Sequence, residues 1–385
     1  MKKLLLVAVW LSTLAFVGCG QQNEASQSDG SSPKTVKVWV VAPLSGPAST
    51  YGEDTINAIT IAMNEFNASS KDIKMELVVE DGKCNGADAT SAAQKLITID
   101  RVPIMLWWVC SSEALAVSKI AQENSIVNIV AASQSPNISQ VGKYVFRYAN
   151  GITAAERIGE LADSHFTKFI LVSEKTEFAQ SIATVVRELA GDKIRSEVQY
   201  ESSEKDFSII AKQVRKNLGE VDAIVVLPQS EASVTNVIRA FDKEWIQKDF
   251  TWHILGYPFF SSPSFIKNVG PLATNLYNIN LWPSLAAWTT ARKYYDQLEA
   301  EHGVKSILYG RSLPLEATKA IGDAIREWAR TTNDFLQYFS NITKENPKRW
   351  YLIDSYYFSG SDGIGVPYFL EKIDNGIVTE VKDFD

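Results

Sequence analysis

Apolar positions in this chain switch repeatedly between unbroken runs and helical spacing. Val36-Lys37-Val38-Trp39-Val40-Val41-Ala42 is such a run, and the Pro43-Leu44-Ser45-Gly46-Pro47 segment behind it is rich in turn formers. Ile56, Ile59, Met63 and Phe66 then recur at three- and four-residue steps, which predicts a helix. Ile73, Met75, Leu77 and Val79 alternate with the period of a strand. The order continues as a helix over 89–99, a strand over 104–109, a helix over 113–123 and a strand over 127–131. After Tyr144-Val145-Phe146-Arg147-Tyr148 it restarts. Helices are expected over 154–163, 178–189, 208–218 and 232–241, and strands over 169–172, 197–200, 223–227 and 252–255. Strands that alternate with helices imply a parallel sheet covered on both faces. Two such sets in sequence predict an α/β protein of two doubly wound parallel-sheet lobes.

The first residues follow another pattern. Met1-Lys2-Lys3 is basic, Leu4 to Val17 is uncharged and mostly apolar, and Gly18-Cys19 closes the run. That is the order of a secretory signal, and the run is shorter than the ~20 residues that span a bilayer. Phe16-Val17-Gly18-Cys19 resembles the bacterial lipobox, in which cleavage precedes the Cys and its thiol is acylated. Residues 1–18 are therefore read as a signal peptide and Cys19 as the lipidated residue. The alternatives are an ordinary signal peptide with an incidental Cys, or an uncleaved anchor. Gly20 to Pro33 carries little apolar surface beyond Ala25, so it cannot order itself by burial, and residues 19–34 read as a flexible tether. The expected setting is extracytoplasmic (periplasm or cell surface), with membrane attachment through lipid.

About 350 residues remain, which is long for one core and fits two domains. The formal charge of −7 becomes −9 without Lys2 and Lys3, and no basic stripe is present, so nucleic acid is not expected as a partner. Cys84 and Cys110 are the cysteines left besides Cys19. In an exported chain one pair reads as one disulfide, with two separate buried thiols as the alternative.

Several segments resemble one family. Lys37 to Pro47 followed by Tyr51-Gly52 is similar to the opening of type I periplasmic solute-binding proteins. The branch is that of the branched-chain amino acid (Leu/Ile/Val)-binding proteins of ABC transporters. Glu80-Asp81-Gly82-Lys83-Cys84 and Val109-Cys110-Ser111-Ser112 look like its two disulfide segments, and Ser135-Pro136-Asn137 resembles its Asn-Pro-Glu turn. Glu204-Lys205-Asp206-Phe207-Ser208 matches a frequent segment of its second domain. The resemblance runs from about Val36 to about Val378. It implies the type I periplasmic binding protein fold, whose lobes are joined by a three-crossing hinge. Residues 35–149 plus 275–356 would form lobe 1, and 150–274 plus 357–385 lobe 2. It also implies capture of a small molecule between the lobes and delivery to ABC permease subunits, with no cofactor. A ligand-sensing lipoprotein of the same fold, acting through a receptor, is the other reading.

The resemblance also suggests a site. Ligands of open α/β sheets sit beyond the carboxyl ends of the strands. Ser111 and Ser112 lie there, and the family places a ligand carboxylate at Ser111; a plain helix N-cap is the other role for either serine. Ala132-Ser133-Gln134 follows the next strand, and Gln134 stands where the family has a Thr that contacts the ligand. Tyr51 falls where the family sets an aromatic ring against the ligand side chain; a surface aromatic ahead of a helix is the alternative. In lobe 2, Phe178 replaces a family Tyr, and Pro228-Gln229-Ser230 replaces an aromatic-rich loop. The family acid for the ligand ammonium should fall in Gly256-Tyr257-Pro258-Phe259, which holds no carboxylate. Either Glu174 or Glu177 supplies the charge from a neighbouring loop, or the ligand is not an α-amino acid. Gln134, Gln229, Tyr257 and Phe259 together favour the second: an amide, a carboxylic acid without an amine, or an aromatic acid.

Enzymatic signatures are absent from the sequence. His165, His253 and His302 form no metal-binding pattern, and there is no GxSxG elbow, no P-loop and no GxGxxG after the first strand. No metal site, cofactor or catalytic residue is expected.

Overall fold

Strand β1 (Lys34–Ala42) shows why the chain builds layers. From Val38 to Ala42 every side chain is buried, on both faces of the pleat. That requires a sheet covered on both sides. The computed structural model describes residues 33–46, 48–107, 110–148, 151–249, 253–280, 289–303, 309–349, 355–366 and 368–384. The signal peptide, Cys19, most of the tether, Trp108 and Ala149 lie outside them.

The first lobe runs α1 (Ser49–Ser69), β2 (Ile73–Asp81), α2 (Gly86–Lys95), β3 (Ile104–Trp107), α3 (Ser111–Glu123), β4 (Val127–Val130) and β5 (Val145–Arg147). The second runs α4 (Gly151–His165), β6 (Phe169–Glu174), α5 (Glu177–Ala190), β7 (Ile194–Tyr200), α6 (Ser208–Lys216) and β8 (Ala223–Leu227). It continues with α7 (Glu231–Lys243), α8 (Ile246–Asp249), β9 (His253–Gly256), α9 (Pro263–Val269) and β10 (Leu276–Asn280). Then come α10 (Thr289–His302), α11 (Tyr309–Glu327), α12 (Thr332–Ser340), β11 (Tyr357–Ser359), β12 (Asp362–Ile364), β13 (Phe369–Asp374) and β14 (Ile377–Val381). Among the described residues one sheet has the order β11-β12-β5-β4-β3-β1-β2, and the other β14-β13-β10-β9-β8-β6-β7. The consecutive strands β1 to β5 and β6 to β10 pair in parallel, with Val38 between Leu77 and Ile104. Helix α11 packs on α1, which returns residues 309–327 to the first lobe.

Among the described residues the chain changes sheet three times. Two of the changes fall later than the sequence expectation. Strand β10, expected to begin the return to lobe 1 at 275, belongs to the second sheet, because Leu276–Asn280 is wholly buried between β9 and β13. Residues 357–364, expected in lobe 2, form a β11–β12 hairpin on the first sheet, and Asp362 pairs with Arg147 of β5. The lobe 2 return therefore begins with β13.

Around these crossings the structure is tightly specified. The Arg147 side chain is 0% exposed and bonds to Asp362 through Nε at 2.7 Å and Nη2 at 2.6 Å. Tyr356 stacks on Tyr148 with centroids 4.6 Å apart and donates its hydroxyl to the Tyr148 carbonyl at 2.7 Å. A Cβ at Gly363 would lie 1.8 Å from that hydroxyl oxygen, so only glycine lets β12 approach.

Candidate functional site

The cleft is lined by the loops that follow β1, β3 and β4 in one lobe and β6, β8 and β9 in the other. Tyr51 is buried within α1, and Gly52 next to it would place a Cβ 2.1 Å from the Pro43 carbonyl oxygen. Glycine thus lets α1 lie directly on the loop after β1, which seats Tyr51 facing lobe 2. Its ring meets Phe259 edge-on at 6.0 Å. Phe178 stacks on Tyr257 at 6.0 Å and meets Phe259 at 6.4 Å, so four rings from both lobes close the inner cleft.

Several polar groups at this inner end bond to one another. Ser111 Oγ accepts the Ser135 N–H at 3.2 Å. Gln134 donates from Nε2 to the Ala132 carbonyl at 2.9 Å, and its Oε1 accepts the Tyr257 hydroxyl at 3.1 Å. Arg147 Nη1 donates to the Ser135 carbonyl at 2.7 Å, tying this loop to the hinge. Across the cleft, Glu177 Oε1 accepts from Ser135 Oγ at 2.7 Å and from Asn137 Nδ2 at 2.9 Å. Glu231, at the start of α7, is buried, and burial raises its carboxyl above the ordinary range. Hydroxyls of Ser262, Ser264 and Tyr51 oppose that rise, while the charge of Asp54 adds to it.

Open volume lies outward from this contact. A cavity of about 590 Å³ is bounded by Ala48, Lys83, Cys84 and Ser112 of lobe 1, and on the lobe 2 side by residues that include Glu174, Glu177, Tyr200, Lys205, Gln229 and Ser233. The Cys84–Cys110 disulfide forms part of its wall. Lysines and glutamates face the same space, so it suits a solute with polar or charged groups. Among the described residues there is no cluster of three or more metal-ligating side chains, and no helix is long and apolar enough to cross a membrane.

The family model for periplasmic binding proteins matches residues 35–309. The chain belongs to the periplasmic binding protein family. Such proteins are not enzymes. The Leu/Ile/Val-binding protein of Escherichia coli strain K12 is 25% identical over 192 residues, 47% of this chain and 52% of that protein. The matched stretch thus spans about half the length of this curated relative. Two solved structures share the fold: the leucine-binding protein LivK of Thermotoga maritima, with a TM-score of 0.78, 19% identity, and coverage of 90% of this chain and 97% of that one, and a solute-binding protein of an ABC transporter from Rhodopseudomonas palustris BisB5 in complex with 3,4-dihydroxybenzoic acid, with a TM-score of 0.78, 15% identity, and coverage of 91% and 97%.

Within this periplasmic binding protein the sequence-derived residues divide into two groups. Tyr51, Ser111, Gln134, Phe178 and Tyr257 meet at the inner end, together with the buried Ala132 and Ser133. Ser112 and Gln229 line the outer cavity. Neither serine caps α3: Cys110 is its N-cap and makes no side-chain cap bond. Sequence reasoning missed Arg147, Glu231, Tyr200 and Ser233. One signal was available for Arg147, a charged residue inside the apolar run Tyr144–Tyr148. The others carry no local signature, since their partners lie far away in the sequence.

Proposed function

We propose that this chain is a lipid-anchored, extracytoplasmic solute-binding protein. It captures a small polar molecule between its lobes and delivers it to the permease of an ABC importer. The observation that carries this reading is the interlobe cavity, walled by both lobes and lined by charged and hydrogen-bonding side chains. Hinge closure over a ligand is the motion such an architecture performs. Glu177 then acts as a latch, because its bonds to Ser135 and Asn137 exist only when the lobes meet. Relatives of this fold are named for leucine in one case and hold a dihydroxybenzoic acid in another, so the fold by itself does not set the ligand.

Thermal-shift screening of residues 35–385 against amino acids, amides, organic acids and aromatic acids tests the reading. A specific ligand raises the melting temperature by mass action. No shift from any class would refute it.

A further inference from the structure

The loop after β9 carries Tyr257 and Phe259, two lobe 2 rings that reach lobe 1, at Gln134 and Tyr51. The groups that hold this loop from behind are polar and buried. On β10, Asn278 and Asn280 share one face, as residues i and i+2 of a strand do, and Glu371 of β13 pairs directly with Asn278. Asn280 Nδ2 donates to both Glu371 oxygens at 3.2 Å, and Asn278 Nδ2 donates to Oε2 at 3.2 Å. The same amides reach the loop. Ser261 Oγ accepts from Asn278 at 3.0 Å and from Asn280 at 3.2 Å, and the Pro258 carbonyl accepts from Asn278 at 3.2 Å. Ser261 thereby keeps its own proton for the Glu371 carboxylate.

This arrangement is not the most stable way to fill the space. Buried charges are ordinarily paired, yet among the described residues Glu371 makes no ion pair. Burial raises its carboxyl above the ordinary range, against the bonds from Ser261, Asn278 and Asn280. Asn278 Oδ1 is buried without a hydrogen-bond partner, so this amide turns its nitrogen to the carboxylate at the expense of its oxygen. Apolar side chains would pack here at lower cost, but they would not fix the loop. The place in the fold is telling: β10 is the last strand before the chain leaves lobe 2, and β13 the first after it returns. Arg147 makes the matching arrangement in lobe 1, where it joins Asp362 of β12 to the Ser135 carbonyl. Each of the two loops that meet as Gln134 and Tyr257 is thus fastened to strands at the crossings by one buried charge.

We propose that Glu371 is a positioning residue for lobe closure: it holds the 258–261 loop against the crossing strands so that Tyr257 stands in register with Gln134. The inference rests on the solute-binding reading for its use, and goes beyond it by naming what sets the closed geometry from the lobe 2 side.

Lobe separation in ligand-free protein tests it. Spin labels go on Glu123→Cys and Glu188→Cys, both exposed and one in each lobe, in the full chain with Cys19→Ala, whose remaining native cysteines are bridged. Pulsed dipolar spectroscopy then gives the ratio of closed to open molecules. Glu371→Gln keeps the shape but sets an NH2 group against the two Asn amides, and should lower that ratio about fivefold, the scale of one lost hydrogen bond. Tyr257→Phe should lower it as much, and the double variant no further, because Glu371 acts through Tyr257. Ser261→Ala leaves the carboxylate in the sheet, cuts its tie to the loop and should shift the ratio the same way; if Glu371→Gln does not fold, it decides alone. A residue that only stabilises the sheet would lower the melting temperature without moving the ratio. An unchanged ratio in the folded variants, or effects of Glu371→Gln and Tyr257→Phe that add, overturns the assignment. The ligand screen is read separately: a response there with an unmoved ratio removes the role of Glu371 alone, whereas a silent screen removes the solute-binding reading.

Discussion

Replacing Glu113 by Gln should change how stability depends on pH. Glu113 is fully buried on α3, beneath the loop that carries Cys84. Its Oε1 accepts the Cys84 N–H at 2.7 Å, while Oε2 is buried with no hydrogen-bond partner. Lys83 and Cys84 above it are both left-handed, at φ 54° and 58°. Burial pushes the carboxyl up from 4.5 to about 8, with backbone N–H groups of Cys84 and Asn85 opposing the rise. The folded protein therefore holds a proton there that the unfolded chain releases. The stability this contributes is fully present below about pH 4.5 and is lost as pH rises to about 8. At about 1.4 kcal/mol per unit, the full span amounts to about 5 kcal/mol. A Gln amide keeps the acceptor and never ionises. Urea unfolding at about pH 5, 6, 7, 8 and 9 should show wild type and Glu113→Gln nearly equal at the acid end, with the variant gaining steadily up to about pH 8 and levelling off above it. A difference between the two proteins that stays constant across the series would refute the argument, whatever its size.

The other predictions concern ties that hold the cleft in shape. Reducing the Cys84–Cys110 bridge should lower stability by about 3 kcal/mol through release of the unfolded chain, seen as a lower melting temperature with reductant; an unchanged melt would refute it. Arg147→Met should cost about 3–5 kcal/mol in urea unfolding, because Asp362 and the Ser135 carbonyl lose their buried partner; a loss under about 1 kcal/mol would contradict this. Glu177→Ala should weaken ligand affinity while leaving the melting temperature of the ligand-free protein near wild type; unchanged affinity would end the latch assignment. Cys19→Ala should release the protein from membranes or leave an unprocessed precursor, and fractionation identical to wild type would refute lipid anchoring.

The part of the fold legible in the sequence is the part where local pattern and tertiary role agree. From Val36 to Leu255 the alternation of runs and helical spacing locates every strand except the three-residue β5 within a few residues, because strands buried on both faces are apolar along their whole length. Beyond Asn275 the expected lobe boundaries come from the resemblance, and the sheets place them later. Strands β11 and β12 are three residues each, and their sheet is decided by pairing to β5, more than two hundred residues earlier, which no local period encodes. The site shows the same limit. Tyr51, Ser111, Gln134 and Tyr257 can be placed at strand ends by rule, but that Tyr257 bonds to Gln134 depends on the two lobes meeting. Glu174 is legible as an acid near the cleft; its bond from Ser233, which in turn pairs with Tyr200, is not.

The late arrival of β11 to β14 bears on how the chain is made. Vectorial synthesis delivers the N-terminal five strands of the first sheet long before its edge hairpin, and the second sheet waits longer still for β13 and β14. Neither half can finish its own sheet until nearly the whole polypeptide has emerged. Contacts of such sequence separation form slowly, since the entropy of closing a long loop is lost before the pairing compensates it. A nascent chain stopped at residue 350 should thus remain open to protease in both halves, and pulse proteolysis finding either half fully resistant would contradict this. Delayed completion of that kind would suit the export proposed above, since a chain without a finished sheet in either half has less folded structure to undo.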